Sequence, residues 1–504
     1  MRKLIYLVVG LIFMACSSTQ STVGTKLNTL SDQAKTEATV TMDDIKAHIG
    51  FLASDEMRGR DTPSNELNIA ARYLESYLKS LGVKKAPGME SYLQTVPMKK
   101  VVPASEGSFT FNDFSFEYSK EFLLLNGDNF DIDQELVFVN RASEADLKDV
   151  DLKGKVALAI CGFEDEDNPQ QFFFDARDKR ELVKQKGAVG LIEIYNSQQL
   201  PFSFLANFMN RPRTIVDKED DSNVAKFSHF WWSTTQPDAV DAAKSSKGKN
   251  VKISVTGQEE EKIITYNVVG VLEGNDPELK DEYIIYSAHY DHVGIGRPVE
   301  GDSIYNGSRD NAVGSVTVLS AAKNISKYPT KRSSMFVFFT GEEKGLLGSS
   351  YFADNSPIPL NKVVYCFNSD NAGYNDTSRA TIIGLERTLA RPFIEKACTI
   401  FGLQATVDEN PEQNLFDRSD NVNFAAKGVP APTFSLGIKK FDADINKYYH
   451  QPQDNPNTLD YDYLYKFFRS YVYACRMIAN TSESLFWVEG DKYYEAGKKL
   501  YGNP

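Results

Sequence analysis

From Ile263 onward the chain carries strand-length runs that are apolar almost throughout: TYNVVGVLE, DEYIIYSA, SSMFVFFT, NKVVYCFN and APTFSLG. A strand with one wet face alternates apolar and polar residues, and these runs do not. Both faces of their sheet must therefore be covered. The intervening segments supply the cover, with helical periodicity in AVGSVTVLSAAKNISK, TLARPFIEKACTIFG, NVNFAAKG and YLYKFFRSYVYACRMIAN. The alternation predicts an α/β architecture: a mixed, largely parallel sheet sandwiched by helices.

The 504 residues leave room for two or three domains at roughly 150 residues each. NELNIAARYLESYLKSLG (65–82) reads as a helix with Ile69, Ala70, Tyr73, Leu74, Tyr77 and Leu78 on its covered face and Gly82 as its stop. Residues 101–258 have another texture. Short strand-like runs (ELVFVN, KVALAICGF, VGLIEIYN, VKISVTG), one helix near KRELVKQKG and many polar turns predict a mainly β inserted domain. FFF (172–174) and FWW (230–232) read as core or interface. The acidic clusters EDED (164–167) and KEDD (218–221) read as solvated loops. The main domain is then discontinuous, 38–100 with 259–490.

The first residues have a basic start (Arg2, Lys3), an apolar stretch Leu4–Ala15, and Cys16. That stretch is too short for a spanning helix, which needs about 20 residues. It fits an export signal, and Ala15-Cys16 resembles a bacterial lipoprotein signal, in which Cys16 is lipidated. The reading gives residues 1–16 as signal, 17–37 as a tether rich in Ser, Thr and Lys, and a periplasmic or cell-surface protein held to the membrane by its lipid. A net charge of −13 with mixed signs argues against nucleic acid as a partner. Cys161, Cys366, Cys398 and Cys475 lack CxxC spacing, so a cysteine zinc site is not expected. The sequence leaves the oligomeric state open.

Sites in open α/β sheets form at the carboxyl ends of strands. There the sequence places His289 and Asp291 after DEYIIYSA, Glu342 and Glu343 after SSMFVFFTG, and Asp370 after NKVVYCFNS. Asp310 precedes a helix, and His450 lies in a loop beyond APTFSLG. Each alone has an ordinary explanation; Asp310, for instance, could be a helix cap. Together they bring acids to one sheet edge, where they repel unless cations sit between them. Histidine and carboxylate without cysteine suit zinc, with manganese or cobalt as alternatives. A bridging carboxylate with further ligands on either side would hold two ions roughly 3.5–4 Å apart.

SAHYDHVG, SRDNAVGS, TGEEKGLLGS, NSDNAG and YYHQPQD, in that order, resemble the motifs of the co-catalytic di-zinc aminopeptidase family, typified by secreted bacterial leucyl aminopeptidase and aminopeptidase Y. The similarity runs from residue 40 to 480. It includes LASDEMRGRDTPSNE, and residues 101–258 resemble the protease-associated domain often inserted in this family. The resemblance implies the zinc exopeptidase, phosphorylase/hydrolase-like fold and peptide substrates. It also implies two zinc ions bridged by Asp310, one completed by His289 and Asp370, the other by Glu343 and His450. Glu342 would be the general base, Asp291 would orient His289, and Asp454 would support His450. His292 is read as non-ligating.

Three positions depart from the family pattern: Arg309 where Asp is frequent, Asn371 where Met is frequent, and Asn421 at a His position. They bear on specificity more than on activity. A carboxypeptidase of the same fold is the nearer rival, with Arg309 and Arg418 as candidate carboxylate anchors. A glutaminyl cyclase fits less well. A binding ectodomain with a dead site is the reading from outside the enzymes.

Overall fold

The computed structural model describes residues 30–217, 227–246 and 248–502. The signal-like stretch with Cys16, the tether over 17–29 and the acidic run 218–221 lie outside the described residues. The chain divides into two compact units. Among the described residues, one comprises those up to Val96 and from Thr265 onward; the other comprises those between Pro97 and Ile264.

The first unit is built on strands β1 (Leu93–Val102) and β2 (Glu259–Leu272), both of which cross the unit boundary along the chain, and on β3 (Tyr283–His289), β4 (Ser333–Phe339), β5 (Val363–Ser369), β6 (Arg379–Ile383), β7 (Gln404–Thr406) and β8 (Thr433–Leu436), in the order β7-β6-β8-β5-β3-β4-β2-β1. Its centre is parallel: β3 runs with β4 and β5, and β5 with β8. Antiparallel pairing appears toward the edges, β2 with β4 and β6 with β8. All seven residues of β4 are buried. Phe336 and Phe338 pack into one core, while Met335, Val337 and Phe339 pack into the other. Two-sided burial is why this strand reads as a continuous apolar run.

Helices α2 (Met42–Leu52), α3 (Asn65–Ser80), α4 (Gly314–Lys327) and α5 (Tyr461–Asn480) contribute to the first core, and α1 (Asp32–Glu37) lies against α5. Phe352, Phe424 and Trp487 contribute to the second. In α3 the buried stripe is Leu67, Ala70, Ala71, Leu74 and Leu78. Ile69, expected on that face, is 51% exposed; the observed stripe keeps i, i+3, i+4, i+7 spacing and leaves residue 69 to one side. The tether ends earlier than residue 37. Ser31 caps α1, and Asp32 accepts from the buried Arg476 at 2.9 Å. Beyond residue 490 the helix Tyr494–Tyr501 also docks, with the Tyr501 hydroxyl bonded to the Val363 carbonyl.

The second unit holds an eight-stranded sheet. Phe130–Phe138, Val156–Ile160, Gly190–Ile194 and Ser228–Trp232 run parallel at its centre. The FWW residues lie on the last of these and are buried. The expected helix near KRELVKQKG starts earlier, at Pro169, because Asn168 caps it and Pro169 suits its first turn. It carries the FFF residues, of which Phe172 is buried and Phe174 exposed.

Candidate metal centre

The parallel register delivers three site segments to one edge of the sheet. His289 ends β3 level with Phe339 of β4, so the turn Gly341–Glu343 emerges beside it. Asp370 follows directly on β5. Asp310 lies in the segment Ser308–Val313 that leads into α4. His450 arrives on the long loop after β8, in a left-handed backbone conformation (φ 51°) and stacked on Tyr449 with ring centroids 4.1 Å apart.

The side chains converge. His289 Nε2 lies 3.1 Å from Asp370 Oδ1 and 3.2 Å from Asp310 Oδ1. The other oxygen of Asp310 is 3.1 Å from His450 Nε2, which is also 3.1 Å from Glu343 Oε2. The remaining Glu343 oxygen lies 2.8 Å from His292 Nδ1. The ligand-capable atoms fall into two groups, His292–Asp310–Glu343–His450 and His289–Glu342–Asp370, each within 4.8 Å. Asp310 therefore turns one oxygen to each side.

Charge in this cluster is strongly correlated. Burial opposes a proton on His289, but Glu342 and Asp370 outweigh it and raise the imidazole well above its ordinary range. Burial also opposes charge on His450, yet Asp310 and Glu343 raise it to about 10. Burial alone would raise Asp310; His289 and His450 instead hold it far below the usual carboxylate range. Glu343, likewise buried, is held at about 2 by His292 and His450. Glu342 behaves oppositely: burial raises it well above 4.5, and His289 only partly offsets this.

The donor set fits metal ions. Among the described residues no Lys or Arg ion pair reaches Asp310, Glu342, Glu343 or Asp370. The buried Nε2 of His292 lacks a hydrogen-bond partner, so that ring is not fully used by the protein. Oxygen and imidazole nitrogen without sulfur is the chemistry of zinc, manganese or cobalt sites.

Asp291 braces the cluster from behind. It is fully buried, and its Oδ1 accepts the Glu342 N–H at 3.2 Å while its Oδ2 accepts the Glu343 N–H at 3.4 Å. Its Oδ1 lies 3.7 Å from His289 Nδ1, which meets the Asp291 carbonyl at 3.2 Å. Asp454 does not support His450 as the sequence suggested. Its oxygens accept from Arg309 Nη1 at 2.7 Å and from the Arg309 N–H at 2.8 Å, because the buried guanidinium beside it needs a counter-charge.

His292 stands in the cluster, where the sequence reading left it out; its only signal was its place next to Asp291. Asp420 was also missed. It is fully buried beside the site, with no hydrogen bond to either carboxylate oxygen. The stretch RSD (418–420) carried it, but Asn421 drew the comparison. Ile383, Leu415, Ile438 and Phe441 line the cleft over the acids, together with Arg418 and Tyr449.

Residues 267–474 match peptidase family M28. All seven side chains of the two clusters fall within the M28 stretch. "Probable leucine aminopeptidase 2" of Aspergillus oryzae is 34% identical over 107 residues, 21% of this chain and 19% of that protein. Aminopeptidase Y of Saccharomyces cerevisiae is 25% identical over 211 residues, 40% of this chain and 36% of that protein. The aligned stretches thus span less than half of these curated relatives. Among solved structures, the aminopeptidase from Aneurinibacillus sp. strain AM-1 superposes with a TM-score of 0.53 at 22% identity, covering 90% of this chain and 98% of the other. That likeness speaks for the fold.

Proposed function

We propose that the chain is an exported, lipid-anchored zinc aminopeptidase that removes N-terminal residues from peptides. In this reading Asp310, His289, Asp370, Glu343 and His450 would hold the zinc, with Asp310 shared between the His289–Asp370 side and the Glu343–His450 side. The observation that carries it is the split of Asp310, Oδ1 toward His289 at 3.2 Å and Oδ2 toward His450 at 3.1 Å. Bound zinc would supply Lewis acidity, lowering the pKa of water and polarising a carbonyl.

The chain's own groups do the rest. Glu342 is the one carboxylate of the cluster whose proton affinity is strongly raised. That suits a group that takes a proton from the attacking water and passes it to the leaving amine. Asp291 fixes the backbone of Glu342 and Glu343 together, so base and ligand keep their spacing. The apolar residues that line the cleft receive an apolar side chain. Residues 101–258 act as the protease-associated insert, and Cys16 as the lipid attachment.

The carboxypeptidase alternative keeps one basic residue. Arg309 is engaged by Asp454 and Thr458 and covered by the Tyr448 ring at 3.8 Å, which leaves Arg418 in the cleft. The test pairs metal analysis with a panel of free-amine and N-blocked peptides. Near two zinc ions per chain and cleavage only of free-amine substrates support the proposal. Release of C-terminal residues moves it to carboxypeptidase, and absence of both metal and turnover favours a binding ectodomain.

A further inference from the structure

Arg60 is 1% exposed, and no carboxylate pairs with it among the described residues. Its guanidinium spends its donors on main-chain carbonyls instead. Nε donates to Tyr290 O at 2.9 Å, Nη1 to Asn306 O at 2.7 Å and also to Leu52 O, and Nη2 to Gly307 O at 3.0 Å. Tyr290 lies between His289 and Asp291. Asn306 and Gly307 open the segment that presents Asp310. One side chain thus ties together the two loops that carry the bridging carboxylate and the first histidine.

The backbone is bent to achieve this. Arg58, Gly59 and Arg60 are all left-handed, with φ of 45°, 68° and 50°. A non-glycine residue is strained in this region, and such strain persists where surroundings over-determine it. The surroundings do so here. A Cβ on Gly59 would lie 2.3 Å from Tyr305 O and 2.7 Å from Gly294 O. The Arg60 carbonyl accepts the His292 N–H at 3.2 Å, and the Gly59 carbonyl accepts the Gly294 N–H at 3.1 Å. Simple packing needs no buried guanidinium.

We propose that Arg60 is a positioning residue of the metal centre: its guanidinium fixes the spacing of the His289 and Asp310 loops and places an unpaired positive charge behind the carboxylates. The proposal rests on the zinc reading of the site. A guanidinium reaches both loops and the end of α2 at once because its donors form a planar fork, which an ammonium cannot copy. Its charge also lowers the repulsion among the acids that must stay ionised to ligate.

The experiment compares full-length wild type with Arg60→Lys and Arg60→Gln. Zinc affinity is read by chelator competition, the zinc-dependent rise in melting temperature by calorimetry, and kcat and KM on a free-amine substrate at saturating zinc. We expect a loss of zinc affinity of about ten-fold or more in Arg60→Gln, with Arg60→Lys between it and wild type because the charge remains. At saturating zinc the deficit should sit in kcat, with KM little changed. Folded variants that bind zinc like wild type overturn the role, and so do variants that fail to fold even with zinc present. A wild-type chain without zinc affinity would instead defeat the zinc reading itself, before any variant is compared.

Discussion

Glu342 and Glu343 are neighbours in the chain yet serve different halves of the cluster. Glu343 meets His292 and His450 at 2.8 and 3.1 Å, whereas Glu342 groups with His289 and Asp370. Removing the two charges should therefore have different consequences. Glu342→Gln is expected to lower kcat by about 10²–10⁴-fold, the usual worth of a general base, with bound zinc retained. Glu343→Gln is expected to lose zinc first and activity as a result. Metal analysis beside steady-state kinetics separates them; equal loss of zinc in both variants would reject the division of labour.

Asp291 touches no position where a substrate could sit, yet it holds both glutamates by their backbone. Asp291→Asn keeps one oxygen and turns the other into a donor facing an N–H. We expect zinc affinity or kcat to fall by about 10–100-fold, as for other groups that orient ligands. Serial chelator titration and kinetics check it, and a variant indistinguishable from wild type in both would show that the brace is dispensable.

Asp420 gives the centre a pH signature in the zinc-free chain. Burial, aided by Asp370 and Asp291 and opposed by His289, raises its carboxyl to about 7 from the ordinary 3.8. The unfolded chain ionises it near 3.8, and the folded chain only near 7. Its contribution to stability is therefore full below 3.8 and lost as pH rises through 7. Asp420→Asn removes the ionisation, so it should raise the melting temperature at pH 8 by roughly 2 °C or more relative to its effect at pH 5. Calorimetry with chelator at the two pH values decides; identical shifts at both would mean that Asp420 does not titrate as proposed.

How much of this the sequence disclosed depended on the range of the interaction. β3, β4 and β5 were legible because two-sided burial writes itself into consecutive residues. The short strands β6 and β7 were not, since each has few residues and little pattern. The cluster residues were legible where they end or directly follow such strands, as His289 and Asp370 do. Arg60 was hidden: its partners Tyr290, Asn306 and Gly307 lie 230 to 247 positions away, and carbonyl acceptors leave no side-chain signature. Asp454 misled by proximity, because the arginine at position 309 claimed a carboxylate that sequence spacing would give to His450.

The second unit offers a test of its own. Lys179 and Glu193 are both wholly buried and 2.9 Å apart. Lys179 also donates to Ile160 O at 2.6 Å and Gly162 O at 2.9 Å. Glu193 accepts from His229 Nε2 at 2.7 Å and Trp231 Nε1 at 3.3 Å. Burial would raise Glu193, but His229 and Lys179 hold it low; burial lowers His229 in turn. Both shifts depend on which group carries the positive charge. We assign it to Lys179, which has three oxygen partners, and treat His229 as a neutral Nε2–H donor. Glu193 then stabilises the unit above pH 4.5, and that stability is lost as pH falls. Burial of neutral His229 acts in the same sense below pH 6.5, so acid should open this unit. Glu193→Gln strands a buried ammonium and should cost about 3–5 kcal/mol. The double variant Lys179→Met/Glu193→Gln should recover part of that loss, because no buried charge remains without its partner. Urea unfolding followed by the fluorescence of Trp231 and Trp232 measures both; a change below about 0.5 kcal/mol in the single variant, the range of ordinary surface substitutions, would mean that the ammonium finds another partner.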